Sequence, residues 1–203
     1  MNAKSPVAAI VLAAGCSTRM GPGNKLLADI GGKPMLHRTL DTIHSANLQQ
    51  VVVVTGFQSD RIEKSIAQYP VEIVRNPCYL QGLGTSLRAG IHSLPDSCSG
   101  AIIFLADMPD ISADVPDRLV RAHLISEDRI CVPAFSGQRG NPVLWPRRFF
   151  GDLGTIEGDT GGRHLIRKFS GHVQEVPVHS NSILHDIDTV QDLRLRSIRP
   201  LAS

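Results

Sequence analysis

Val7-Ala8-Ala9-Ile10-Val11-Leu12 runs into Ala13-Ala14-Gly15-Cys16-Ser17-Thr18-Arg19-Met20-Gly21 and then, past Pro22-Gly23-Asn24, reaches Lys25. An apolar run of this length followed by glycine and small polar residues reads as a buried strand feeding a glycine-rich loop. Such a loop lets backbone N–H groups approach a phosphate without Cβ clashes, and a following Arg and Lys supply the charge that a triphosphate needs. Two commoner glycine signatures fail here. A Walker loop requires Gly-Lys and then Ser or Thr, whereas Asn24 precedes Lys25 and Leu26 follows it. The dinucleotide fingerprint fails as well, since Leu26 stands where its third glycine belongs after Gly21-Pro22-Gly23, which disfavours a hydride-transfer enzyme.

Outward from this loop, strand-length apolar runs recur at residues 51–55, 71–74, 101–105 and 130–133. The run at 7–12 and the first three of these read as parallel strands covered on both faces. Segments of helical length lie between them at 35–46 after Pro34, 59–68, 85–93 and 113–126, the last with Ser112 as its expected cap. The alternation predicts an α/β fold, a Rossmann-like arrangement with a mainly parallel central sheet flanked by helices. Ligands then bind beyond the carboxyl ends of the strands, where Gly15 and Asp107 both fall. The final third is richer in glycine, with shorter elements and a last helix expected at 190–196.

A chain of 203 residues, 42% hydrophobic, has the size of one compact domain. Twenty-one Lys and Arg against 19 Asp and Glu leave no broad basic face for nucleic acid. Cys16, Cys78, Cys98 and Cys131 are scattered without a C-x-x-C pair, which predicts neither a zinc site nor a disulfide framework. With no apolar run near the ~20 residues of a membrane span and no signal-peptide pattern after Met1, a cytoplasmic location is expected.

The loop L-A-A-G-x-S-x-R-M-G…K-L-L resembles that of nucleotidyltransferases which attach a nucleoside monophosphate to a phosphorylated acceptor, the molybdenum cofactor cytidylyltransferases in particular. The resemblance continues through Asn76-Pro77, Gly82-Leu83-Gly84-Thr85-Ser86-Leu87, Leu105-Ala106-Asp107-Met108-Pro109, Arg139-Gly140-Asn141-Pro142, Gly158-Asp159-Thr160-Gly161-Gly162-Arg163 and Asp186-Ile187-Asp188-Thr189, nearly the whole chain in order. One departure is the three residues Pro22-Gly23-Asn24 before Lys25, where the family more often has two. The resemblance implies Mg²⁺-dependent transfer of CMP from CTP to the phosphate of molybdenum-bound molybdopterin, and a receiving molybdoenzyme as a further partner. It also implies one nucleotidyltransferase domain over 1–203, with a nucleotide- and metal-binding part at about 1–110 and an acceptor-binding part at about 111–197. Ala14 matches the cytidylyl branch, whereas the guanylyl branch usually has glycine there; GTP, another phosphorylated acceptor, and a non-catalytic cofactor carrier are the alternatives.

Such chemistry needs a cation, positive side chains and positioning rather than a protein nucleophile. Asp107 should emerge at a strand end, where it either joins Mg²⁺ to phosphate oxygens or serves as a turn or cap residue. Asp186 and Asp188 alternate on an extended segment, so only one can join Asp107; the resemblance favours Asp188, which alternatively caps the helix after Thr189. Lys25 and Arg19 are expected to meet the α- and the β,γ-phosphates. The nucleotide site implied by the resemblance comprises Leu12, Ala13, Ala14, Gly15, Lys25, Asn76, Gly84 and Ser86. Thr85 and Ser86 can equally be simple helix caps, and Asn76 a turn former. Acceptor binding falls, by resemblance, to Arg139, Asn141, Asp159, Gly161 and Arg163, with ordinary loop chemistry as the alternative.

Overall fold

The computed structural model describes residues 6–16, 23–159, 161–189 and 191–193. Arg19, Thr160 and most of the helix expected at 190–196 lie outside them. Strand β1 (Val7–Ala13) is buried at every position. Its odd residues, Val7, Ala9, Val11 and Ala13, pack into one hydrophobic layer, and its even residues Ala8, Ile10 and Leu12 into the other. Successive strand side chains point to opposite faces, so a strand covered on both sides must be apolar throughout.

Around β1 the chain winds as α1 (Met35–Ser45), β2 (Val51–Thr55), α2 (Ser59–Ile66), β3 (Glu72–Arg75), α3 (Leu83–His92), β4 (Gly100–Leu105) and α4 (Asp114–Ile125). Helix α1 buries Met35, Leu36, Thr39, Leu40 and Ile43, a single stripe of the 3.6-residue period. Each fully buried Leu or Ile contributes about 1.5–3 kcal/mol. Strands β3, β2, β1 and β4 are parallel neighbours in that order. The sheet therefore reverses its winding between β1 and β4, the switch point where open α/β sheets bind ligands.

The rest of the chain adds β5 (Ile130–Phe135), β6 (Gln138–Arg139), β7 (Val143–Pro146), α5 (Phe150–Gly154), α6 (Arg163–Lys168) and β8 (Val173–Pro177). Strand β7 inserts antiparallel between β4 and β5, β6 returns antiparallel on β5, and β8 pairs parallel with β5. One eight-stranded sheet results. Helices α1, α2 and α4 supply the layer on one face, and α3, α5 and α6 the layer on the other.

Three local expectations change. The run at 71–74 is a parallel strand starting at Glu72, but it is the sheet edge and largely exposed rather than covered on both faces. Ser112 does not cap α4 through its side chain, because its hydroxyl donates to the Asp114 carboxylate at 2.6 Å. Helix α3 starts at Leu83, two residues before Thr85, so neither Thr85 nor Ser86 is its cap. No helix among the described residues is long and apolar enough to cross a membrane.

Candidate active site

Leu12 of β1 is in register with Leu105 of β4, so the loops Ala13-Ala14-Gly15 and Ala106-Asp107 leave the sheet side by side. The Ala106 N–H still donates to the Leu12 carbonyl at 3.3 Å, which holds the two exits together. Lys25 approaches from the same side, at the start of the short 3-10 turn Lys25–Leu27. Buried Asn24 anchors that turn: its Oδ1 accepts from the Leu26 N–H at 3.1 Å and its Nδ2 donates to the Phe57 carbonyl at 3.3 Å. In the sequence Asn24 stands only within the spacer before Lys25; its signal there is the residue type, a frequent N-cap, directly before an apolar turn.

The Lys25 Nζ donates to Asp107 Oδ2 at 2.7 Å, to Asp188 Oδ1 at 3.0 Å and to the Ile187 carbonyl at 3.2 Å. Burial draws the ammonium toward neutrality, but the two carboxylates, Asp107 foremost, outweigh that and hold its pKa above the ordinary lysine value. The 186–189 segment is tied in by the Ile187 N–H, which donates to the Asp107 carbonyl at 3.0 Å. Alternation then sends Asp188 toward Lys25, while Asp186 lines a separate cavity with Arg139 and Arg163. After Asp188, Thr189 and Asp192 form a reciprocal capping pair: the Asp192 carboxylate accepts from the Thr189 N–H at 2.8 Å, and Thr189 Oγ1 accepts from the Asp192 N–H at 3.1 Å.

Three adjoining cavities of about 370, 480 and 300 Å³ follow the carboxyl ends of β1 and β4 toward β5 and β7. Ala14, Gly15, Lys25, Ser86, Asp107 and Asp188 line the first. Leu12, Asp159 and Asp188 border both the first and the second. Gly161, Arg163 and Asn141 line the second, and Asn141, Arg163 and Arg139 the third, where Arg139 Nε also donates to Glu175 at 2.8 Å. The expected site residues that are described, which leaves out Arg19, thus gather along one cleft, with three qualifications. Ala13 is the buried end of β1. Gly84 is packed against Ile156 and Gly158, behind the cleft wall. Asn76 is buried with its amide engaged: Nδ2 donates to Thr85 Oγ1 and Ser86 Oγ, both at 2.9 Å, and Oδ1 accepts from the Cys78 N–H at 2.9 Å. Asn76 therefore holds the 76–86 loop in shape rather than facing the cavity, and Thr85 Oγ1 donates to the backbone carbonyls of Cys78 and Gly82.

The donor set fits a hard divalent cation. Asp107 Oδ1 is a buried oxygen with no hydrogen-bond partner among the described residues, and Asp188 supplies a second carboxylate at the same ammonium. No group of three or more His, Cys, Asp or Glu is placed to cage a metal among the described residues. Two carboxylates plus water and phosphate oxygens is the arrangement Mg²⁺ ordinarily accepts.

The family model described as the MobA-like NTP transferase domain matches residues 9–176. The chain belongs to that family. It is thereby an enzyme of the nucleotidyltransferase type. Within the family's range of relatives, it is 26% identical over 195 residues to nicotine blue oxidoreductase of Paenarthrobacter nicotinovorans, covering 92% of this chain and 94% of that protein. Its fold superposes with a TM-score of 0.84 on the crystal structure of an Rv0371c homolog from Mycobacterium sp. strain JC1, at 28% identity over 96% of this chain and 97% of the other. Rv0371c of Mycobacterium tuberculosis, solved in complex with manganese, gives a TM-score of 0.80 at 25% identity, covering 94% and 97%. The chain spans about a quarter of the length of the bifunctional protein GlmU of Psychrobacter that it also matches.

Proposed function

We propose that this enzyme transfers CMP from CTP to the phosphate of molybdenum-bound molybdopterin, with Mg²⁺, forming the cytosine dinucleotide and pyrophosphate. The observation that carries the proposal is the Lys25 ammonium held between Asp107 and Asp188, directly opposite the glycine loop at the switch point. A single cation flanked by two carboxylates and a permissive backbone is what a reacting phosphoryl group needs, and little else is required of the protein. The name of the Paenarthrobacter relative describes an oxidoreductase, so the reading rests on this cluster and not on that name.

In this reading Leu12 to Gly15 cradle the triphosphate and Lys25 neutralises charge gathering at the α-phosphate. Arg19, outside the described residues, takes the β- and γ-phosphates. Asp107 and Asp188 would hold Mg²⁺, which would supply charge neutralisation for phosphate oxygens. Ser86 faces the base or ribose, with Asn76 and Gly84 shaping its loop. Arg139, Asn141, Asp159, Gly161 and Arg163 surround the acceptor in the second and third cavities. An acceptor phosphate monoester, with its second pKa near ~6, is largely ionised at neutral pH and needs no strong base. The nucleotide- and metal-binding part is about residues 1–110, joined at the cation by Asp188, and the acceptor part is about residues 111–197 of a single domain, working in the cytoplasm and delivering to a molybdoenzyme.

The test is incubation with Mg²⁺, molybdenum-loaded molybdopterin and CTP, GTP, ATP or UTP in turn, following pyrophosphate release and product mass. CTP-dependent dinucleotide is the expected result. Turnover with GTP alone moves the enzyme to the guanylyl branch, and silence with all four points to another acceptor or to a carrier.

A further inference from the structure

Two glycine-bearing segments far apart in the chain meet where the first cavity passes into the second. Gly82, at φ 104°, comes so close to Gly158 that a Cβ there would lie 2.4 Å from its carbonyl carbon, and a Cβ on Gly84 would lie 2.2 Å from the Ile156 carbonyl oxygen. The Gly84 N–H donates to the Gly158 carbonyl at 3.0 Å. Helix α3 has no side-chain cap of its own. Instead its first amide, Leu83 N–H, donates across the seam to Asp159 Oδ1 at 3.1 Å.

We propose that Asp159 is a positioning residue, whose carboxylate caps α3 from the opposite wall and latches the 156–159 segment onto the 82–86 loop, so that the two cavities hold one shape. A carboxylate there satisfies an amide that the helix cannot pair internally and lies at the positive end of the helix dipole. The latch rests on the transferase reading only for the ligand that the first cavity takes. It also separates two roles for Asp159. A cap needs one acceptor oxygen, which Asn supplies equally well, whereas a charged partner for the acceptor or a cation needs the full carboxylate.

Amide hydrogen exchange at Leu83 and Gly84, together with equilibrium binding of CTP plus Mg²⁺, distinguishes these roles in wild type, Asp159→Asn and Asp159→Ala. Asp159→Ala is expected to speed Leu83 exchange and weaken nucleotide binding, each by about fivefold, with Asp159→Asn within about twofold of wild type in both. Unchanged Leu83 exchange in Asp159→Ala overturns the latch. So does an Asp159→Asn protein that binds nucleotide as weakly as Asp159→Ala, because charge rather than capping would then be what matters. A wild type that binds none of CTP, GTP, ATP or UTP, while Asp159→Ala still speeds exchange, supports the latch and brings down the proposed CMP transfer instead.

Discussion

The two sides of the cleft are built differently. On the β1–β4 side, parallel strands end in register and deliver Gly15 and Asp107 to one place through backbone pairing alone. On the β5–β8 side, β7 and β6 run back against their neighbours, and Asn141 and Asp159 reach the cleft from loops and Arg163 from the first turn of α6, all at positions that depend on what they pack against. Chemical groups on the first side are placed by secondary structure; those on the second are placed by tertiary contact.

The largest expected effect breaks the first side alone. Asp107→Asn should lower turnover about a thousandfold or more while the melting temperature stays near wild type, since a cation ligand's charge goes with almost no change in volume. A thermal melt beside an assay of pyrophosphate release checks both halves, and undiminished turnover removes Asp107 from the cation site. Next comes the seam where the two sides touch. Gly84→Ala forces a methyl group against the Ile156 carbonyl and should cost about 1–3 kcal/mol in urea unfolding. Wild-type stability in that variant would mean the two walls slide freely past each other.

A smaller effect sharpens the electrostatics of the first side. Lys25→Met should tighten Mn²⁺ binding without nucleotide by about tenfold, because the ammonium no longer competes for Asp107 and Asp188. The free Mn²⁺ signal in electron paramagnetic resonance measures it, and an unchanged affinity would show that Lys25 does not compete. The smallest lies far from the cleft. His123 is fully buried, its Nε2 paired with Ser99 Oγ at 3.0 Å and its Nδ1 without a partner among the described residues. Burial lowers its pKa, with Glu127 partly opposing. The unfolded chain then binds the proton more tightly than the folded one, so stability should fall as pH drops below the ordinary imidazole value of about 6.5 toward the lower folded value. Urea midpoints at pH 7 and pH 5 should show that decline, and His123→Gln should flatten it.

The difference between the two sides also governs what could be read in advance. β1, β2 and β4 were legible because burial on both faces forces an unbroken apolar run, and Asp107 because it follows such a run directly. Strand β3 was misjudged as covered, since its place at the sheet edge is decided by strand order and not by its own residues. Strand β7 escaped notice because Val143–Pro146 is four residues long and carries no alternation. Asn76 reads from sequence as a nucleotide contact or a turn former, and its internal role is not legible there, because nothing local shows that its amide meets Thr85 and Ser86.

By itself, then, the sequence determined an α/β sheet with a glycine loop and an acidic strand end at its switch point, because period, burial and chain direction are local properties. Only the tertiary structure decided that Asp188 and not Asp186 meets Lys25, and that Asp159 reaches the start of α3. Those are pairings across 163 and 76 residues of chain, fixed by packing of the whole sheet.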